Sequence, residues 1–217
     1  MNSSKKIIYI VGGNGFAREC FFNLQQVMQN DKNITFGGFM GHGGYGKTVD
    51  YKTCQNLYVG EVSEHKFKDN EYVIIGAGYP SLRLKIYNEL KAQNIKFFNL
   101  VTYSITTPDI KMGEGNVILN SVITANVEIG NANVFNGQVI VGHDCMIGNF
   151  NFFGPRSQVL GNVKVKNMNQ IGANAILLPN AKIGSNNKIA PLSAVYKGCK
   201  DNCYMMGNPA LKIGNVE

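Results

Sequence analysis

Apolar side chains recur at every sixth position through the second half of the chain. The positions are Val117, Ile123, Ile129, Phe135, Val141, Ile147, Phe153, Val159, Val165, Ile171, Leu177, Ile183, Ile189 and Val195. In a chain that is 44% hydrophobic, such an unbroken run is far outside chance. A six-residue period is the signature of hexapeptide repeats stacked as a parallel β-helix. Each unit predicts one short strand and one corner of a three-sided prism, with its anchor side chain inside. Three units make one coil, and each coil buries its apolar side only against the next.

Two further columns accompany the anchors. The residue two places before is small or polar, as in Val127, Asn133, Cys145, Asn151, Ser157, Asn169 and Asn187. The residue just after is often glycine, at Gly130, Gly142, Gly148, Gly154, Gly172 and Gly184. The small residue is expected beneath the anchor, near the bend. Glycine and asparagine are expected to supply the positive φ of tight corners.

The first hundred residues follow another pattern. Ile7 to Val11 reads as a buried strand, then Gly12-Gly13-Asn14-Gly15, then a helix over 16–28 with Phe16, Cys20, Leu24 and Val27 near one face. A strand is predicted over 34–39, followed by a glycine-rich mobile loop over 40–47 that carries a solvated His42. Tyr72 to Ile75 is a further strand, ending in Gly76-Ala77-Gly78. A helix over 80–93 turns Leu82, Ile86 and Leu90 inward, and a last strand covers 97–100. This is a small parallel α/β sheet, Rossmann-like, with both glycine turns at its carboxyl edge, where open α/β sheets bind ligands. The chain therefore divides into an α/β domain, 1–104, and a β-helix domain with a C-terminal tail, 105–217.

The glycine turn Gly12, Gly13, Asn14 and Gly15 reads equally as a phosphate cradle at a helix N-terminus and as a plain tight turn. Arg18 stands where a dinucleotide fingerprint would have its last glycine. The net charge of +7 suits anionic small ligands better than nucleic acid, because the lysines are scattered; it also suits simple solubility. The five cysteines have neither metal-ligand nor disulfide-framework spacing, so no metal is expected. No apolar run is long enough for a membrane span, and a reducing cytoplasm is the default.

His143 is the one histidine of the repeat region. It falls two places after an anchor, so it is expected outside the prism at a corner. Imidazole takes a proton near neutral pH, and the adjacent Asp144 could hold its tautomer. A surface histidine with a chance acidic neighbour is the competing reading. Cys145 is expected inside the corner as a small apolar filler.

Three motifs together resemble a known family. They are Gly12-Gly13-Asn14-Gly15-Phe16-Ala17-Arg18-Glu19, the segment Asn136 to Gly148, and Gly207-Asn208-Pro209-Ala210. The chain resembles the sugar O/N-acyltransferases of the sialic acid O-acetyltransferase type, above all the bacterial N-acetyltransferases of nucleotide-linked 4-amino-4,6-dideoxy sugars. The resemblance implies a left-handed β-helix, a homotrimer with active sites between subunits, and acetyl-CoA as co-substrate. It implies His143 as general base, Asp144 as its orienting partner, and Asn136 beside the acceptor. Gly161, Gly172, Ala190 and Lys197 would face the coenzyme. The glycine turn would grip the nucleotide diphosphate, with Gly76, Ala77 and Gly78 near the base or ribose. Lys182, Lys200 and Lys212 are further candidates for coenzyme phosphates. The chain departs from the family pattern at Met40-Gly41, where relatives carry aspartate, and at Phe152, where relatives have a second histidine. An O-acetyltransferase acting on a sugar hydroxyl and a non-catalytic hexapeptide scaffold remain alternatives. A nicotinamide oxidoreductase fits least, given the broken fingerprint.

Overall fold

The structure, a computed structural model, describes residues 5–47, 49 and 52–216. The N-terminal unit is a five-stranded parallel sheet with two helices. Its elements are β1 (Lys6–Val11), α1 (Gly15–Asn30), β2 (Ile34–Gly41), β3 (Tyr58–Glu61), β4 (Glu71–Ile75), α2 (Pro80–Lys91) and β5 (Lys96–Phe97). The sheet order is β3-β2-β1-β4-β5, and every pairing is parallel. β3 is an edge strand without an apolar run, so periodicity gives no signal for it.

α1 starts at Asn14, whose side chain accepts from the Ala17 N–H and caps one of the orphan donors of the first turn. Its inner face buries Ala17, Cys20, Phe21 and Leu24. Phe21, Phe36 and Phe39 then form a tilted aromatic cluster with ring centroids 4.6–5.4 Å apart.

The strand expected over 97–100 is divided between two sheets. Phe97 belongs to β5, whereas a sixth strand, β6 (Leu100–Thr102), pairs with Val117–Leu119 in the repeat region. The chain thus enters the coil at Leu100. Three parallel sheets form its sides. The first side runs from β6 to the terminal hairpin of Cys203–Gly207 and Ala210–Asn215. The second runs from Ile105–Thr106 to Ala194–Val195, and the third from Lys111–Met112 to Gly198–Cys199. Between Val122 and Ala194 successive strands on a side pair eighteen residues apart, as in Ile123 with Val141.

Thirteen of the anchor positions, Ile123 to Val195, line one continuous core. Each such burial contributes about 1.5–3 kcal/mol. Phe135 and Phe153 stack on consecutive coils, 4.8 Å apart and 8° from parallel. The exception is Val117. The first coil is one residue short, so Val117 pairs with Val134 and Ile118 takes the inward place. Val117, Val134 and Leu119 point outward instead and share a core with α1, joining the two units.

The glycine column has a different cause from the one expected. Positive φ falls three residues after each anchor, at Asn126, Ala132, Gln138, Asp144, Phe150, Arg156 and Asn162 among others. The glycines after the anchors do not have it. They are required because the next coil passes too close for a side chain. A Cβ on Gly142 would lie 2.8 Å from the Gly161 nitrogen, and one on Gly172 would lie 2.4 Å from the Pro191 nitrogen.

Asn116, Asn133, Asn151, Asn169 and Asn187 form a buried ladder at one corner. Each of the middle three accepts from the backbone N–H and the side-chain amide of the next, at 2.9–3.0 Å. The ladder satisfies backbone groups that the corner would otherwise leave unpaired.

Candidate functional site

His143 sits at the corner between the second and third sides, and its side chain is 61% exposed. Gly142 ends the strand before it and Asp144 turns the chain with φ of 59°. That turn brings the two neighbouring side chains together: His143 Nδ1 lies 2.7 Å from Asp144 Oδ2. The other carboxylate oxygen, Oδ1, accepts from the Asn126 side-chain amide at 2.7 Å. These two hydrogen bonds, Asn126 first and His143 second, hold the Asp144 carboxyl below the usual range. An ionised carboxylate can only accept, so the hydrogen of neutral His143 is on Nδ1 and the Nε2 lone pair is free. Nε2 lies over Gly161 of the next coil, where an added Cβ would be only 2.7 Å away. Cys145 is buried, and its thiol donates to the Leu160 carbonyl at 3.1 Å.

The two glycine turns follow β1 and β4, which are direct neighbours, so they lie side by side at the carboxyl edge of the sheet. They touch: a Cβ on Gly12 would lie 3.2 Å from the Gly76 carbonyl oxygen, and one on Gly76 would meet Ala17 of α1 at 2.7 Å. The segment expected to be a mobile loop is folded onto them. Met40 and Gly41 still belong to β2, and His42 and Tyr45 exchange backbone hydrogen bonds around Gly43-Gly44. Tyr45 covers Gly12 and donates its hydroxyl to the Gly76 carbonyl at 3.0 Å. Nor is His42 simply solvated: its Nε2 lies 2.6 Å from the Glu89 carboxylate.

Arg83 ties this edge to the coil. It is fully buried and donates to the carbonyls of Ile75, Ala77, Ala132 and Gly115 at 2.7–3.1 Å. Burial lowers its pKa to about 10. Sequence reasoning missed it, because an arginine in an amphipathic helix reads as solvent-facing; Leu82 is only half-buried where Arg83 is enclosed. Nearby, desolvation raises the Glu19 carboxyl, while the Asn136 side chain and Arg18 counter that rise. Phe152 faces the same junction, edge-on to Phe16 and within 3.5 Å of a Cβ built on Gly78.

The coil sorts the remaining candidates by corner. Gly161 and Lys197 share the corner of His143, between the second and third sides. Asn136, Gly172 and Ala190 share the corner between the first and second sides. These two corners bound the second side from opposite edges. Lys200 stands at the third corner and Lys212 in the terminal strand. Lys182 lies on the third side, where it lines a cavity of about 930 Å3 with Met146, Lys164 and Lys166. His143 is not among the residues lining that cavity.

No family model matches the chain, and no curated protein sequence matches it. Solved structures do. WeeI from Acinetobacter baumannii AYE superposes with a TM-score of 0.82 at 22% identity, covering 96% of this chain and 100% of that one. The acetyltransferase domain of PglB from Neisseria gonorrhoeae FA1090 gives 0.84 at 18%, with the same coverage. PerB from Caulobacter crescentus, solved with CoA and GDP-perosamine, gives 0.82 at 21%, covering 98% and 99%. The chain shares the fold of these proteins over nearly its whole length. One of them is named an acetyltransferase domain, and another was solved with CoA and a GDP-linked sugar bound. Among the described residues, no helix is long and apolar enough to cross a membrane.

Proposed function

We propose that this protein is an acetyltransferase that moves an acetyl group from acetyl-CoA to the amine of a nucleotide-linked amino-deoxy sugar. The observation that carries the reading is the His143 corner: an exposed imidazole, its Nδ1–H engaged by Asp144, its Nε2 free above a glycine. The sugar amine attacks the thioester carbonyl. The C–N bond forms, His143 Nε2 takes the amine proton, the C–S bond breaks, and the thiolate leaves and is reprotonated. Such a base contributes about 10²–10⁴-fold. The Gly161 N–H would face the carbonyl oxygen as negative charge develops there.

The glycine turns at Gly12–Gly15 and Gly76–Gly78 would hold the nucleotide diphosphate, consistent with their place at the carboxyl edge of a parallel sheet. In this reading 1–104 grips the nucleotide and 105–217, wound left-handed, transfers the acetyl group. Asn136 would stand beside the sugar, and Gly172, Ala190 and Lys197 along the coenzyme. The separation of Asn136 and His143 supports an active site between subunits of a homotrimer. Each chain's α/β unit packs near its own Asn136, whereas His143 occupies the other edge of the second side. That side carries Val122, Ile140, Gln158 and Ile176 outward, with Ile140 41% exposed, and gives a neighbouring copy a largely apolar face to pack on. We place the activity in the cytoplasm, where nucleotide sugars and acetyl-CoA would both be at hand.

The test is a thiol-release assay with acetyl-CoA against nucleotide-linked sugars offered in amino and hydroxy forms. Turnover on the amino form supports the reading. Turnover only on the hydroxy form replaces it with O-acetylation, and coenzyme binding without turnover on any sugar replaces it with a scaffold. Sedimentation at working concentration reads the trimer.

A further inference from the structure

The His143 corner continues beyond its histidine and aspartate. One coil below Asp144, at the same corner, lies Asn126, which has the same left-handed backbone at φ of 55°. Its side-chain amide donates to Asp144 Oδ1 at 2.7 Å. Its own backbone N–H donates to Asp109 Oδ2 at 2.7 Å, and Asp109 also accepts from the Thr107 hydroxyl. A chain of hydrogen bonds therefore runs up the edge of the prism from Asp109 through Asn126 and Asp144 to His143.

The geometry points to Asn126 as the positioning residue of this site: by engaging Oδ1 of Asp144 it turns Oδ2 toward His143 Nδ1, and so fixes the tautomer that leaves Nε2 open. The inference rests on the reading of His143 as base. Asp144 is exposed, so its carboxylate rotates freely unless a second partner holds it, and water competes for both oxygens. The Asn126 amide supplies that partner. It is a neutral donor, so it orients the carboxylate without cancelling its charge. The Asp144 charge bears on Asp109, and this repulsion opposes close approach of the two carboxylates. Asn126 keeps the two apart by donating to both, one from its backbone and one from its side chain. The residue type follows from two demands at once. The corner needs a residue at ease with positive φ, and the carboxylate above needs a donor at the end of a short arm. Asparagine meets both.

The test uses Asn126→Gly and Asn126→Asp in the full-length protein. Both residues tolerate the backbone of this corner, and both retain the N–H to Asp109, so the fold is preserved. The first readout is long-range proton–nitrogen NMR of the histidine rings near pH 8.5, where a neutral imidazole reports its tautomer. The chain has three histidines, and loss of one signal set in His143→Gln assigns the ring. The wild type is expected to hold His143 in a single Nδ1–H form. Asn126→Gly is expected to give a mixture, and Asn126→Asp a mixture with a weakened Asp144 contact. The second readout is kinetic: kcat is expected to fall by roughly threefold to tenfold in each variant, with both KM values within twofold. A single unchanged tautomer in Asn126→Gly overturns the inference. The NMR arm needs no turnover, so a protein that fails to transfer acetyl groups defeats the functional reading while leaving Asn126 under test.

Discussion

Gly161, on the next coil, lies directly against the His143 ring: a methyl group in place of its hydrogen would stand 2.7 Å from Nε2 and 2.8 Å from Cε1. The two residues are on consecutive coils, and the backbone confirms the contact, since the Asn162 N–H donates to the His143 carbonyl at 2.9 Å. Glycine at 161 is therefore a condition for where the imidazole rests.

Gly161→Ala displaces the ring but not the coil, because the group it meets is the end of a rotatable side chain. Initial rates of acetyl transfer are expected to fall by about tenfold to a hundredfold. Thermal denaturation is expected to change little. A large loss of melting temperature would place the glycine requirement in the backbone instead.

Arg83→Met removes the only cation buried between α2 and the coil among the described residues, leaving the carbonyls of Ile75, Ala77, Gly115 and Ala132 without that donor. Unfolding free energy measured in urea is expected to drop by about 3–4 kcal/mol. Arg83→Lys recovers only part of this, because an ammonium cannot span the positions that the planar fork reaches.

Asn151→Ala breaks the buried ladder, orphaning the Asn169 backbone N–H and the Lys166 carbonyl. The expected cost is about 2–4 kcal/mol in urea unfolding. Asn149→Ala, at a half-buried corner two residues away, gives up only its bonds to the Asn131 N–H and the Asn167 side chain and is expected to cost about 1 kcal/mol or less. Equal losses at the two sites would contradict the assigned role of the ladder.

Glu71 gives a signature in acid. It is 3% exposed at the start of β4, beside Tyr9 and His65. Desolvation pushes its carboxyl up, but hydrogen bonds from the Lys68 N–H and His65 outweigh that and leave the pKa below its ordinary value. A carboxyl depressed in the folded state stabilises the protein above its unfolded pKa, and the contribution is lost as pH falls through the folded value. Urea midpoints are expected to decline as pH drops below the ordinary carboxylate range, with a shallower decline in Glu71→Gln.

Much of this molecule is legible in its sequence, for a physical reason. A solenoid repeats one local solution, so the anchor column and the small column beneath it recur often enough to be read without any long-range information. His143 is legible for the same cause: its offset from Val141 places it outside the prism. What escapes is set by single contacts across distance. Val117 fits the period by residue type, yet one missing residue in the first coil turns it toward α1. The glycine column was visible, but its cause is the passage of the next coil and not a backbone angle. Arg83 and Tyr45 act on carbonyls and glycines brought near by the fold, and neither carries a local signal. β3 lacks an apolar run because it is an edge strand whose exposed Val59 points away from the core.

The most direct measurement is the turnover of His143→Ala with acetyl-CoA and the best nucleotide-linked amino sugar of the panel, on protein whose melting temperature matches the wild type. Loss of the base predicts a fall in kcat of about a hundredfold or more, with coenzyme affinity nearly unchanged. A folded His143→Ala protein that turns over near the wild-type rate would contradict the assignment of this corner as the site of acetyl transfer.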